Sequence, residues 1–528
     1  MPHATAMNII GLGGLTNDPA CSVLKNGKLV AAIEQKKIAR YHRMGELPLE
    51  AITASLELAG IQAEDVNCVA LARPFAAGPE GALHVELEEL FPNGQLVVVE
   101  HHAAHAASAY FVSEFDEATV LTLDRMGDFR CGARWQAQDG QLRLDRELYY
   151  PDSLGDVYGR VTELLGFHAN SEEHKVQWLS TQTPRTLQPL FEQVLGMRDH
   201  DWPKIDRSYF DADRVGDGGF SPKFYESVGI SDRASLPEPL RAEIAAGLQG
   251  AIETAVLRMS GGAKNVCLAG GLGFNALLVS ALEREKNVFV QPMAGNSGTS
   301  LGAALYAWHT VQQNHQRTSL QDLCLGPGYT PAEIKRILEN CKLRFRYLVT
   351  TDELVDNAVK QINDQKIVAW MQGRMEVGPR ALGNRSILAS PLNPYSTENL
   401  NIFIKHREPF RKFAASVPAE VADRYFEVGP NARFLATVGR VKPEHAKTFE
   451  TAILGQDLVR VHTVRQDDNA LYHRLLHAAG KATGLPVLYN TSFNLFGDPL
   501  VCTPRDAVRS FYSSGIDAMF AGNFLLEK

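Results

Sequence analysis

Residues 7–35 read MNIIGLGGLTNDPACSVLKNGKLVAAIEQ, and this stretch decides the predicted fold of the N-terminal part. An apolar run from Met7 to Leu12 is followed by a glycine-rich turn that carries Asp18. Asn26-Gly27 then separates two further apolar runs. Because Asn-Gly between alternating runs is a strong hairpin signal, we predict a strand, an acidic turn and a β-hairpin.

The same layout recurs at residues 118–150. A strand at 118–123 leads to Asp124 in a turn, and two further strands meet at Asp139-Gly140. This duplication resembles the start of the two lobes in the actin, hexokinase and Hsp70 fold, where an acidic turn in each lobe faces a shared nucleotide or metal cleft. Two unrelated hairpins remain the alternative on the pattern alone.

Length and composition narrow the class of protein. The 528 residues predict about three to four compact units at roughly 150 residues each. The formal charge of −8 argues against a polybasic nucleic-acid coat, and no apolar run is long enough to span a bilayer. The seven cysteines are scattered without a C-x-x-C pair, which argues against disulfides or a thiolate zinc site. We therefore expect a soluble cytoplasmic protein.

Three histidines, His101, His102 and His105, open an alanine-rich helix directly after a short buried strand. The H-x-x-x-H spacing places His101 and His105 one turn apart on one helix face. Asp124 ends the neighbouring strand, so two imidazoles and a carboxylate are predicted to converge. Such a set suits Fe, Zn or Mn. Histidines at this spacing are also common on protein surfaces, so an ordinary helix face remains the alternative.

A cationic stretch follows a predicted domain boundary near residue 345. Eight cations lie between Arg374 and Lys412, several of them interleaved with glycine and proline; they are Arg374, Arg380, Arg385, Lys405, His406, Arg407, Arg411 and Lys412. Guanidinium groups match phosphate oxygens, so this stretch predicts binding of a polyphosphate or acyl phosphate. Ion pairing with Glu376 and Glu408 is the structural alternative. Nucleic acid is disfavoured because stacking aromatics are not interleaved with the cations.

A cluster of small polar residues is predicted to follow a strand at 486–489. It comprises Asn490, Thr491, Ser492 and Asn494. Together with the arginines it predicts a nucleotide site, although Asx and Ser turns alone would also account for it.

These residues carry a resemblance that runs over nearly the whole chain. The chain resembles the O-carbamoyltransferases of nodulation factors and antibiotics, the NodU/CmcH family. The motifs are HHAAHAASA at 101–109, SLGDVYGRVTELLGF at 153–167, AGG at 269–271, GTSLGAA at 298–304, GRMEVGPRALGNRSI at 373–387, IKHREPFRKFA at 404–414 and NTSFN at 490–494.

The resemblance implies an α/β protein with two domains. Residues 1–345 would form an actin-like carbamoyl-transfer domain of two RNase H-like lobes, and residues 346–528 a YrdC-like domain. In the family the YrdC-like domain uses Mg-ATP and carbamoyl phosphate to make carbamoyl adenylate. The actin-like part then transfers the carbamoyl group to a hydroxyl of a small sugar or natural-product acceptor.

The resemblance also implies roles for individual residues. The residues that would bind the phosphates and the carbamoyl group are Arg380, Lys405, Arg411, Arg460, Ser492 and Asn494. The metal, Fe(II) or another divalent ion, would be bound by His101, His105 and Asp124, with Asn296 at the position of the fourth ligand. Gly270, Gly271 and Asn275 would border the adenosine. Asp18 is the candidate for accepting the proton of the acceptor hydroxyl.

The sequence departs from the family pattern in three places. Asn296 stands where relatives carry an aspartate. The family's E-G-K followed by A-P-Y-G is replaced by Glu173-His174-Lys175 and residues 180–183, STQT. Arg125 and Met126 after Asp124 are bulkier than usual. Asn296 and the altered segment at 180–183 keep open the alternative of a non-catalytic nucleotide-binding partner. The duplicated lobes also keep open a sugar kinase of the actin-like fold, which would not account for the C-terminal arginines or the NTSFN motif. The acceptor and the oligomeric state are not predicted.

Overall fold

The computed structural model describes residues 7–41, 43–73, 80–197, 201–211, 218–495 and 497–528. Its first lobe is built on a five-stranded sheet in the order β3-β2-β1-β4-β5. The elements are β1 (Asn8–Gly13), β2 (Ala20–Lys25), β3 (Lys28–Glu34), α1 (Gln35–Ala39), α2 (Leu49–Ala59), β4 (Cys68–Ala72), α3 (Glu80–Leu90), β5 (Gln95–Val99) and α4 (His101–Tyr110).

The second lobe repeats this topology with the sheet order β10-β9-β6-β7-β8. Its elements are β6 (Glu117–Gly127), β7 (Arg130–Gln138), β8 (Gln141–Tyr149), α5 (Leu154–Leu164), α6 (Glu173–Leu179), α7 (Gln188–Val194), α8 (Pro222–Ser227), α9 (Glu238–Ser260), β9 (Asn265–Ala269), α10 (Ala276–Glu283), β10 (Asn287–Val290) and α11 (Gly298–Tyr306).

The strand directions identify both lobes as RNase H-like. In each lobe the first three strands form an antiparallel meander, and the fourth strand joins the first in parallel. Both predicted hairpins form, with turns at Asn26-Gly27 and Asp139-Gly140. The alternative of two unrelated hairpins is therefore excluded.

Helices α4 and α11 lie between the inner faces of the two sheets and share one apolar core with them. The helices approach closely because Gly302 of α11 faces the backbone of α4. A Cβ atom at this position would stand 1.8 Å from the carbonyl oxygen of Ala104. This packing brings the start of α4, with its histidines, to the region between the lobes.

The C-terminal part is a mixed sheet of ten strands, in the order β11-β20-β19-β12-β13-β18-β14-β17-β16-β15. Its elements are α12 (Pro331–Asn340), β11 (Arg346–Tyr347), α13 (Thr351–Asn363), β12 (Val368–Met371), β13 (Arg385–Ala389), α14 (Ser396–Asn399), β14 (Ala414–Pro418), α15 (Ala422–Tyr425), β15 (Phe426–Glu427), β16 (Val438–Val441), β17 (Leu458–Val464), α16 (Ala470–Thr483), β18 (Leu488–Ser492), α17 (Pro504–Tyr512), β19 (Ala518–Ala521) and β20 (Phe524–Glu527).

Helices α13 and α16 cover one face of this sheet, and α12 and α17 cover the other. The predicted fold class, an actin-like part followed by a YrdC-like α/β domain, is confirmed. The boundary near residue 345 stays a prediction. Ile334 and Leu338 of α12, which precede it, already belong to the apolar core of the ten-stranded sheet.

Two elements differ from the sequence prediction. Asp124, predicted to lie in a turn, belongs to β6, which continues to Gly127. The strand predicted at 486–489 is β18, which runs from Leu488 to Ser492. Asn490 therefore lies inside the strand, where its amide donates to the Ala381 carbonyl and to Ser416 Oγ at 3.1 and 3.2 Å. Pairing with β13 and β14 on either side extends the strand through these polar residues.

All seven cysteines are free thiols. No helix within the described residues is both long enough and apolar enough to cross a membrane.

Candidate functional site

The predicted histidine cluster forms where β5 passes into α4. Glu100 caps the helix, its carboxylate accepting from the backbone amides of His102 and Ala103 at 3.0 and 2.8 Å. The cap fixes the start of the helix, so His101 and His105 share one face. Their Nε2 atoms lie 3.1 and 3.2 Å from Asp124 Oδ2. His102 points elsewhere and binds Thr122 Oγ1 and the Arg130 carbonyl.

The charges within this cluster are strongly coupled. Burial opposes ionisation of Asp124, but hydrogen bonds from His101 and His105 outweigh it and hold its pKa well below the usual range. Burial also opposes protonation of His101, yet Asp124 raises the pKa of that imidazole above its ordinary value. The pKa of His105 is lowered by burial and by the neighbouring His101. The cluster thus presents an ionised carboxylate and one imidazole kept neutral by its surroundings.

Asp18 and Asn296, two further residues predicted for the site, lie in adjacent turns of the first and second lobes. A Cβ atom at Gly14 would stand 2.2 Å from the Asp18 carbonyl oxygen and 3.1 Å from that of Asn296, so the two turns meet there. The Asn296 Oδ1 atom is buried and has no hydrogen-bond partner among the described residues. The Asp18 carboxylate is ion-paired, with Oδ1 3.0 Å from Lys36 Nζ.

The glycines predicted to border adenosine lie beside Asp124. Strands β6 and β9 run in parallel and pair as far as Thr122 and Ala269, so Asp124, within β6, and Gly270, directly after β9, both lie just beyond the paired part of the two strands. A Cβ atom at Gly271 would lie 3.1 Å from Asp124 Oδ1. Because glycine has no side chain, this side of the carboxylate is left unobstructed. The Asn275 side chain caps α10 and exchanges two hydrogen bonds with Gln249, so its own contacts are structural.

Arg125, one of the bulky departures, turns away from the histidines. Its guanidinium donates to Asp156 Oδ1 and Asn170 Oδ1, both at 3.0 Å. The side chain therefore occupies a neighbouring surface rather than the cluster.

The C-terminal cations divide into two groups. Arg385 is fully buried and donates to the backbone carbonyls of Gln372 and Pro327, while Arg374 donates to those of Gly326 and Leu325. Because the terminal guanidinium nitrogens of Arg385 and the Nε and Nη2 of Arg374 donate to backbone oxygens, these two arginines are structural. Glu376 is also structural, since its carboxylate accepts from the backbone amides of residues 382, 384 and 385. Among the described residues Glu376 forms no ion pair with these cations, whereas Glu408 does pair with Arg411, at 3.7 Å.

The second group forms a cluster of cations that face one another. It consists of Arg380, Lys405, Arg407, Arg411 and Arg460, and we call it the cation cluster. Burial and the neighbouring Arg411 lower the pKa of Arg380 to about 10 and that of Arg407 to about 9. The pKa of Arg460 is held well below its usual range by burial and by three of these arginines. Such mutual repulsion is relieved when an anion enters.

Lys405 joins the cation cluster to the end of β18. Its Nζ donates to the Ser492 and Asn494 carbonyls at 2.5 and 2.9 Å and to Asn494 Oδ1 at 2.7 Å. Ser492 Oγ donates to the same Oδ1 atom at 2.7 Å. An ammonium group has three donors, so those of Lys405 are all engaged within the protein. Burial, followed by Arg407 and Arg411, lowers its pKa well below the ordinary value.

Helix α6 of the second lobe reaches the cation cluster, and sequence reasoning did not assign it a role. Lys175 Nζ lies 2.7 Å from Glu408 Oε1, and Glu408 pairs in turn with Arg411 at 3.7 Å. The Trp178 ring lies under the Arg460 guanidinium, 5.5 Å from centroid to Cζ. The same helix reaches the predicted adenosine loop, because Gln177 Oε1 accepts from the Ala276 amide at 2.9 Å.

His174 of α6 faces the arginines from the opposite domain. Its Nε2 is buried without a hydrogen-bond partner among the described residues. Burial, followed by Arg411, Arg380 and Arg407, lowers the pKa of His174 to about 3. The sequence feature that could have drawn attention to His174 is the replacement of the family's E-G-K by Glu173-His174-Lys175.

The altered segment at 180–183 also contacts the C-terminal domain. Thr181 Oγ1 donates to the Leu454 carbonyl at 3.0 Å, and Gln182 Nε2 donates to the same oxygen. A Cβ atom at Gly455 would stand 2.2 Å from the Thr181 carbonyl. The segment therefore forms part of the domain interface.

Comparison with known proteins covers both parts of the chain. Residues 84–305 match the model described as "Carbamoyltransferase N-terminus", and residues 359–528 match "Carbamoyltransferase C-terminus". The uncharacterized protein sll1178 of Synechocystis sp. is 32% identical, over 99% of this chain and 97% of its own. The chain belongs to the carbamoyltransferase family. It is an enzyme that transfers carbamoyl groups.

Other members of the carbamoyltransferase family carry more specific names. The nodulation protein NolNO of Sinorhizobium fredii is 30% identical, over 97% of this chain and 79% of its own. The 3'-hydroxymethylcephem-O-carbamoyltransferase of Amycolatopsis lactamdurans is 31% identical, over 48% of this chain and 47% of its own. Among solved structures, component A of the (R)-2-hydroxyglutaryl-CoA dehydratase of Acidaminococcus fermentans covers 58% of this chain and 99% of its own, with 17% identity and a TM-score of 0.39.

Proposed function

We propose that this carbamoyltransferase is an ATP-dependent O-carbamoyltransferase with two reaction sites. Carbamoyl phosphate, water and ATP yield carbamoyl adenylate, phosphate and pyrophosphate in the C-terminal domain. A hydroxyl of a small sugar or natural product then takes the carbamoyl group near the histidine cluster, and AMP and a proton leave. The observation that carries this proposal is the cation cluster, in which Lys405 is buried, the four arginines are partly buried, and the positive charges repel one another.

The first reaction needs the negative charge of two phosphorylated substrates to be held in one place. Arg380, Arg407, Arg411 and Arg460 would donate to phosphate oxygens, for which the planar guanidinium is well suited. Lys405 would act differently, because its three N–H groups are already engaged. It would hold Ser492 and Asn494 in position and add its charge to the field at the phosphates.

The second reaction would take place at His101, His105 and Asp124. Their converging nitrogen and oxygen atoms suit Fe(II) or another divalent ion, and the unpartnered Asn296 Oδ1 is a candidate fourth ligand. A bound divalent ion supplies Lewis-acid stabilisation of negative charge on the adenylate. Gly271 leaves room beside the Asp124 carboxylate, and Gly270 lies against the Leu123 backbone next to it. We place the adenosine end of carbamoyl adenylate beside these two glycines.

The acceptor hydroxyl must lose its proton as the new C–O bond forms. We assign this proton to Asp18, which lies in the turn adjoining Asn296. The ion pair with Lys36 orients the carboxylate. Asp18→Asn is expected to lower transfer from supplied carbamoyl adenylate by about 10²-fold. Unchanged transfer by this variant would remove Asp18 from the mechanism.

The experiment that tests the proposal is release of pyrophosphate from ATP with and without carbamoyl phosphate. We expect pyrophosphate and AMP that depend on carbamoyl phosphate, with little ADP. Release of ADP on addition of sugars would instead indicate a kinase. Absence of any nucleotide turnover, with ATP still bound, would indicate a non-catalytic nucleotide-binding protein.

A further inference from the structure

A second group of two histidines and a glutamate lies on the C-terminal domain, apart from the histidine cluster. His473 and His477 are one turn apart on α16, and Glu420 lies in the 3₁₀ turn at Ala419–Val421 that follows β14. The Nε2 atoms of both histidines point at Glu420 Oε1, at 2.8 and 2.6 Å. The two ring centroids are 4.6 Å apart. Three donor atoms from two separate elements thus converge on one point.

The convergence on a single oxygen is informative. Two imidazole N–H groups that served only as hydrogen-bond donors would be better accommodated by the two oxygens of the carboxylate, which offer about four lone-pair sites. Here both nitrogens meet the same Oε1 atom. In the histidine cluster, His101 and His105 meet the same Oδ2 atom of Asp124 in the same way.

We propose that Glu420, His473 and His477 form a second site for a zinc-class divalent cation. Imidazole and carboxylate are the ligands that Zn²⁺, Co²⁺ and Ni²⁺ share. A tetrahedral Zn²⁺ with bonds of about 2.1 Å holds its donor atoms roughly 3.4 Å apart. The Glu420–His473 and Glu420–His477 separations therefore need to widen by less than an ångström, and the Glu420 and His477 side chains, 52% and 40% exposed, are free enough to move. Water would complete the coordination.

The position of the site indicates that a bound cation would link two elements of the C-terminal domain. A cation held by these three residues connects α16 to the end of β14. Both elements support the cation cluster's sheet: Asn469, which caps α16, donates to Asn384 Oδ1, and Ser416 of β14 accepts from Asn490 of β18. We expect the bound cation to stabilise the C-terminal domain.

The test is the zinc content of the full-length protein after removal of metals and dialysis against Zn²⁺. Four proteins are compared: the wild type, Glu420→Gln, His473→Gln and the matched control His445→Gln, which changes a histidine outside the cluster. We expect Glu420→Gln and His473→Gln to bind one zinc fewer per chain than the wild type and His445→Gln. Equal zinc content in all four proteins would overturn the proposal. Circular dichroism verifies folding, and Glu420→Gln, at an exposed side chain, serves if His473→Gln misfolds.

A second measurement reports the coordination itself. Co²⁺ added to the metal-free wild type is expected to produce visible absorption bands that are weaker in Glu420→Gln and His473→Gln. Zn²⁺ is also expected to raise the melting temperature of the wild type by more than that of Glu420→Gln. Identical spectra and identical melting shifts would count against the site, irrespective of whether the protein has transferase activity.

Discussion

Lys175, in the second lobe, forms an ion pair with Glu408 of the C-terminal domain, with 2.7 Å between Nζ and Oε1. Lys175 also pairs with Glu172 at 2.7 Å, and its side chain is only 11% exposed. The pair connects helix α6, which reaches the predicted adenosine loop, to the arginines that we assign to phosphate binding. It is one of several contacts between this part of the second lobe and the C-terminal domain, beside those of Trp178 and Thr181.

Replacing Lys175 by Met is expected to weaken this interface. Glu172 and Glu408 lose their shared cation, and we expect a loss of about 2 kcal/mol in the free energy of unfolding. Urea denaturation measures this loss. Lys360→Met is the matched control, because it removes an exposed ion pair with Asp364 on α13. An equally small effect of both substitutions would show that the interface does not depend on Lys175.

The lowered pKa of His174 is expected to make the free energy of unfolding depend on pH. Its pKa of about 3 in the folded protein lies below the ordinary value of about 6.5, so its neutral form is favoured by folding. The unfolded chain binds a proton that the folded chain does not, and stability is lost as the pH falls below about 6.5. We expect His174→Gln to reduce the loss between pH 7 and pH 5 by about 1–2 kcal/mol. Urea denaturation at the two pH values measures it; parallel losses in both proteins would contradict the role of His174.

Lys405 is the residue whose loss should affect the first reaction most. Lys405→Met removes a buried amino group and its three hydrogen bonds to oxygen atoms of Ser492 and Asn494. We expect pyrophosphate release that depends on carbamoyl phosphate to fall by about 10²-fold or more. Lys412→Met, at a half-buried lysine of the same segment, provides the comparison and is expected to retain most activity. Similar rates for the two variants would remove Lys405 from the proposed site.

Asp124→Asn should separate the two reactions. The variant keeps the shape of the side chain but loses the charge that raises the pKa of His101. We expect it to bind less divalent metal and to lose carbamoyl transfer by about 10²-fold, while pyrophosphate release in the other domain persists. Metal analysis and detection of the carbamoylated acceptor check this. Full transfer by metal-depleted Asp124→Asn would exclude the histidine cluster from the second reaction.

The repeat of strand, acidic turn and hairpin was sufficient to predict both lobes, because hairpins and alternating runs are local features. The spacing of His101 and His105 likewise predicted a shared helix face, and the position of Asp124 at a strand end predicted that it would lie nearby. Sequence reasoning did less well where polar residues belong to a central strand. Asn490 resembled a loop residue, but pairing with strands on both sides places it inside β18.

The amino-acid sequence by itself determined the fold class, the family and the residues that meet in the histidine cluster, since these depend on local periodicity and on long motifs. The division of the cations was decided only by the tertiary structure. Arg374 and Arg385 bind backbone carbonyls, whereas Arg380 and Arg411 face other cations, and no local pattern distinguishes the two kinds of arginine. The approach of His174 and Lys175 to the arginines also required the folded protein, because more than two hundred residues separate them along the chain.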